Sequence, residues 1–289
     1  MANIFRFQTA SFQQIPGQLK KIAVGDEKNV WGINDQGKIY WFNPVTDNFE
    51  VKAAGQTLKH IAVGSGVWGI DALGDPYKWD GTKFQKVGGK VSYIGVPLSK
   101  GNPWARFGNA ILRYNPVSKA FEGVPSNFKF LGVGDDDTQV WALDNDGWPW
   151  MWNGQKFVRH GDESLRLNFI APGKNNVYGI SLSSRTYRTA QLTGFVQPYF
   201  EDGLISTSGR LVYIDTGDIE VFGQGTSGET EMVWGLNSAG QAYQLESGWK
   251  YRGGPFSVLA VGIGSIKQGL AGDGITTVWI NKLNVWALG

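Results

Sequence analysis

The chain has 289 residues, of which 27 are basic and 25 acidic, for a formal net charge of +2. Charge this balanced, with no Lys/Arg cluster beyond Lys20-Lys21, excludes the positive field that a nucleic-acid partner requires. The absence of cysteine excludes disulfides, thiolate zinc sites and cysteine nucleophiles.

In chain order, residues 1–16 alternate Phe with polar side chains and lack the continuous apolar core of a signal peptide. No window approaches the roughly 18 apolar residues of a membrane span. Cytoplasmic placement without membrane insertion is therefore the expectation. The alternation from Asn3 to Gln8 predicts a strand that completes the last unit of a closed array and removes an exposed edge. A first unit is predicted over residues 13–51, with strands at 19–24, 30–34, 38–42 and 49–51. Asp35-Gln36-Gly37 reads as a hairpin turn whose Gly accepts positive φ. The second unit repeats the pattern with Ala72-Leu73-Gly74-Asp75 as the turn and Pro76 to Trp79 as the third strand. A third, degenerate unit runs through Trp104 and Ala110 to Tyr114, and a fourth uses Asn145-Asp146-Gly147 followed by Trp148 to Trp152. In the fifth, Tyr178 replaces the Trp; the sixth is predicted to hold an insertion between Val196 and Asp218 and a loop over 223–229. The seventh is predicted to have a Gly-rich connection over 262–274, then Trp279 and a final strand ending at Trp286. Long loops in a compact array tend to carry function.

The units share a short run ending in Gly and then a Val-Trp strand, as in Ile22-Ala23-Val24-Gly25 before Val30-Trp31-Gly32-Ile33-Asn34. Anchors fall at Trp31, Trp68, Trp104, Trp141, Tyr178, Trp234 and Trp279, separated by 37, 36, 37, 37, 56 and 45 residues. A period near 40 with four short strands per unit predicts one all-β domain over residues 1–289. The expected form is a seven-bladed β-propeller of four-stranded antiparallel blades.

The repeat "hydrophobic-x-Val-Gly … Val-Trp-Gly-Ile-Asn-x-x-Gly-x-Ile-Tyr", clearest over 20–42, 59–79, 129–152 and 233–245, resembles the tectonin repeat. That repeat occurs in tectonins, tachylectin-like proteins and fungal fruiting-body lectins. The resemblance implies a propeller that binds carbohydrates or surface glycans, while some seven-bladed mushroom relatives look to bind small pigments instead. Many tectonins have six units rather than seven.

An indole wedged between blades covers about 150–250 Å², worth at most about 4–6 kcal/mol, so the repeated Trp residues read as core. Trp148, Trp150 and Trp152 alternate along one strand and share a face, and Trp41 and Trp79 are read as their counterparts in units one and two. Loop-proximal candidates for stacking on or hydrogen bonding a ligand are Trp104, Asn145, Asp146, Trp148, Trp249 and Tyr251. Asp135-Asp136-Asp137 and Asp144-Asn145-Asp146-Gly147 resemble a calcium loop, but the downstream bidentate Glu is missing, so no metal is expected. His60 and His160 lie 100 residues apart, and no HExxH or GxSxG occurs, so neither catalysis nor a cofactor is expected.

A non-enzymatic lectin-like protein follows as the first expectation, with weak sites multiplied around a ring. The alternative is a mushroom-type chromoprotein, with a small aromatic ligand in one pocket built by the irregular units six and seven and the central channel. A protein-interaction scaffold is a third reading. The ring predicts a monomer or weak homo-oligomer, since it needs no partner to satisfy its edges.

Overall fold

The computed structural model describes residues 1–8, 11–161, 165–189, 200–202, 211–223, 226–246, 248–262, 264–270, 277–282 and 284–289. Seven blades of four antiparallel strands form a ring, a seven-bladed β-propeller, with no helix among the described residues. No helix there is long and apolar enough to cross a membrane. In blade one the strands run outward as Lys21–Val24, Val30–Ile33, Lys38–Asn43 and Asn48–Thr57. Blades two, three, four and five repeat that order from inner strands His60–Val63, Tyr93–Gly95, Phe130–Val133 and Leu167–Pro172.

Blade seven closes the ring. Its inner strands are Val258–Val261 and Val285–Leu288, and its outer two come from the other end of the chain, Ala2–Gln8 and Ser11–Leu19. The predicted N-terminal closure is thus made by two strands, and residues 13–19 belong to the last blade rather than the first.

Most seams follow one rule. In five seams the anchor on a second strand meets an aromatic pair from the third and outer strands of the next blade. Trp31 packs on Trp79 and Phe84, Trp68 on Tyr114 and Phe121, and Trp104 on Trp152 and Phe157, with ring centroids 4.7–6.1 Å apart. Trp234 meets Phe7 and Phe12, and Trp286 meets Phe42 and Phe49 across the closing seam. The contacts are edge-to-face, which the quadrupoles of the rings favour. Phe42, not Trp41, is therefore the counterpart of Trp79; Trp41 instead donates its indole N–H to the Lys28 carbonyl at 2.7 Å. Tyr178 departs from Trp because its hydroxyl donates to Glu231 Oε2 (2.9 Å) on blade six, a carboxylate that also accepts from Asn176 Nδ2.

The seventh anchor is Trp286, not Trp279. Trp279 lies in Thr277–Lys282, which pairs with Gly264–Leu270 in a hairpin inserted between the first two strands of blade seven. Val285-Trp286-Ala287-Leu288 repeats Val140-Trp141-Ala142-Leu143 of blade four, whereas Val278-Trp279 only imitates it. The predicted loop over 223–229 is largely strand, because Leu211–Gly223 and Thr226–Asn237 run on as a long hairpin. Residues 219–222 of that hairpin pair in parallel with 264–267 of the inserted one, joining blades six and seven by main-chain bonds. The insertion predicted between Val196 and Asp218 lies partly outside the described residues, as does part of the 262–274 connection.

The Asn or Asp that follows the anchor strand in four of the blades has a mechanical role. Asn34, Asp71, Asp144 and Asn237 each accept the backbone N–H groups two and four residues on, at 2.9–3.1 Å. Gly147 in one such turn has φ +87, and a Cβ there would lie 2.6 Å from the Leu167 carbonyl, so only Gly fits.

Candidate functional site

The inner strands align as seven pentads: Lys21-Ile-Ala-Val-Gly25, His60-Ile-Ala-Val-Gly64, Tyr93-Ile-Gly-Val-Pro97, Phe130-Leu-Gly-Val-Gly134, Phe169-Ile-Ala-Pro-Gly173, Tyr213-Ile-Asp-Thr-Gly217 and Val258-Leu-Ala-Val-Gly262. Each pentad's second residue is a branched aliphatic side chain, Ile or Leu, and all seven are buried in the seams. Strand alternation then turns the first and third residues to the ring axis. The last position is Gly in six blades and Pro97 in the third, and where it is Gly the backbones approach closely: a Cβ on Gly262 would lie 2.1 Å from the Gly25 carbonyl of the next blade.

Around the axis is a cavity of about 370 Å³, lined by all seven inner strands. First positions form a collar at one end, where Phe130, Phe169 and Tyr213 make successive ring contacts at 5.1 Å. Tyr93 lies 5.6 Å from the His60 ring, whose Nδ1 is 3.4 Å from Lys21 Nζ. Third positions form a waist that is Ala or Gly in six blades and Asp215 in the sixth. Asp215 accepts the Thr216 N–H (3.1 Å) through Oδ1 and the Val261 N–H of blade seven (2.8 Å) through Oδ2. Burial raises its carboxyl to about 7 despite these two donors. Burial, helped by the Lys21 charge, lowers His60 to about 4 and leaves it neutral at pH 7. Burial and the neighbouring Asp215 push the Tyr93 phenol up to about 12 and Tyr213 well above its usual value.

None of the residues predicted from sequence lines this channel. Trp104 is 0% exposed in the seam between blades three and four, and Trp249 is buried with Tyr178, Ile180 and Val233. Neither can offer a ring to a ligand: proximity to a loop in sequence was outweighed by a strand position facing the next blade. Asn145 and Asp146 are exposed on one turn of blade four, where Asn109 Nδ2 donates to Asn145 Oδ1 (3.4 Å) and Lys129 to its carbonyl (3.0 Å). Trp148 follows on that turn, half-buried, with the guanidinium groups of Arg159 and Arg166 each 3.1 Å from its ring centroid. It is not an open stacking platform. Tyr251 is 55% exposed on the outer strand of blade six, away from that turn, its ring 5.8 Å from Tyr243.

The acidic runs are used locally. Asp136 accepts from Thr138, Asp137 pairs with Arg113, and Asp144 Oδ2 accepts from Trp150 Nε1 at 2.9 Å. Among the described residues, no three His, Asp or Glu side chains are grouped to hold a metal ion. Reading down the first and third columns of the pentads is the signal that would have found the collar and Asp215.

No curated protein sequence matches the chain. Among solved structures it is similar to Prp20p from Saccharomyces cerevisiae, at 9% identity and TM-score 0.69, over 100% of this chain and 91% of that one. It is also similar to human WBSCR16 (8% identity, TM-score 0.64, 97% and 89% covered). The WD40 ectodomain of the Arabidopsis thaliana receptor kinase ACR4 is a third relative in fold (12%, TM-score 0.54, 90% and 93%). At such identities the likeness concerns the fold alone. Residues 1–97 match the Tectonin domain family model, and with the seven-bladed ring they fit a tectonin-type propeller family.

Proposed function

We propose that this tectonin propeller is a non-enzymatic binding protein whose axial channel takes a small organic molecule. The observation that carries this reading is the 370 Å³ cavity walled by the aromatic collar, a mostly apolar concavity with a few convergent polar groups. The proposed site is on the axis; the irregular loops of blades six and seven lie partly outside the described residues. Titration with a neutral fluorescent aromatic dye such as prodan tests it. The folded chain should give one saturable site, weakened about ten-fold or more by Ala62→Phe, which fills the waist, and unchanged by Trp148→Ala. Dye binding indifferent to Ala62→Phe would remove the proposal.

Glycan binding at the periphery is a second reading, favoured by Tyr251, exposed on the outer strand of blade six. A blank glycan array with folded protein would discard it. Prp20p has described binding properties toward Gsp1p and histones. For this chain a protein partner rests on likeness of fold, which hosts unrelated functions.

A further inference from the structure

The waist breaks the sevenfold repeat at one place. Positions 23, 62, 171 and 260 are Ala and 95 and 132 are Gly, so the axis would be lined by small apolar groups had blade six followed the pattern. Asp215 instead puts a carboxylate there. Its two oxygens each accept one main-chain N–H, which leaves lone pairs of both open to the cavity. Among the described lining residues it is the only acid, and His60 is the only basic one.

We propose that the channel selects an organic cation, an ammonium group carried on an apolar or aromatic body. The ammonium pairs with Asp215 while the faces of Tyr93, Phe130, Phe169 and Tyr213 hold the body and the charge, as aromatic cages do. This rests on the channel being the binding site. The neighbouring groups are arranged to suit. Lys21, with Lys20 and Lys59 near it, lies on blades one and two, whereas the rings in mutual contact are on blades four to six. His60 is neutral and adds no repulsion. Burial holds this carboxyl up to about 7, and a bound cation favours its ionised form.

The test compares three ligands with one ring: phenethylamine, cationic at pH 7.5, neutral 2-phenylethanol and anionic phenylacetate. Calorimetry on the full chain should give the amine about ten-fold or more tighter binding than the alcohol, with phenylacetate weakest. Asp215→Ala installs the residue that four other blades carry and should bring amine and alcohol together, as should the near-isosteric Asp215→Asn. Amine binding should also be tighter at pH 8 than at pH 6. Equal binding of amine and alcohol to the wild type, both lost in Ala62→Phe, overturns the cation inference and leaves the channel reading standing. An amine preference that survives Asp215→Ala overturns the inference as well. Binding of both ligands that ignores Ala62→Phe, or no binding of millimolar amine, overturns it together with the channel reading.

Discussion

Two side chains on the axis give this protein opposing responses to pH. Asp215 titrates at about 7 in the folded chain against 3.8 for a free carboxyl. Between those values the folded state keeps a proton that the unfolded chain has released, so stability falls as pH rises through this window and levels off above it. His60 titrates at about 4 against 6.5, so the unfolded chain takes up a proton that the folded state excludes, and stability falls as pH drops through that window. Thermal unfolding of single variants separates the two. Relative to wild type, Asp215→Ala should gain Tm progressively from pH 4 to 7, while His60→Phe should gain most toward pH 4. A pH-independent offset in Asp215→Ala would mean that its carboxyl is not desolvated. Neither residue is conspicuous in sequence: an Asp within Tyr-Ile-Asp-Thr-Gly resembles any turn-flanking acid until strand alternation assigns it to the axis.

At the scale of the strand, the anchor and its aromatic pair make five of the seams. Trp104 is wholly enclosed by blade four, so Trp104→Ala should cost about 3–5 kcal/mol in urea unfolding. Trp148 is half-buried against two guanidinium groups, and Trp148→Ala should cost only about 1 kcal/mol. Six of the seven anchors and the hairpin turns were legible because close packing and a left-handed turn residue each demand a specific side chain at a fixed spacing. The seventh was displaced by a Val-Trp pair in an inserted hairpin, for two-residue motifs cannot separate an anchor from an ordinary strand. The candidate site was scarcely legible. Aromatic residues near loops suggest exposure, yet Trp104 and Trp249 face inward because strand direction decides burial, and that emerges only from the pairing.

For the whole molecule, closure depends on the first two strands. Ala2–Gln8 pairs with Val285–Leu288 and delivers Phe7 to Trp234, to which Ser11–Leu19 adds Phe12. Deleting residues 1–19 should expose that indole and the edge of Val285–Leu288. The expected product loses its near-ultraviolet circular dichroism and binds a hydrophobic dye strongly; a cooperative unfolding transition at the original Tm would contradict this. The opposite condition holds between blades six and seven. There a parallel ladder runs over 219–222 and 264–267, where the boundaries of blades two, three and four carry only isolated bridges, Gly88 with Ala120 and Lys100 with Asp136. Breathing of the torus should accordingly be uneven, with amide protons along the paired residues 219–222 and 264–267 exchanging more slowly than those at the boundaries held by isolated bridges, which hydrogen exchange checks.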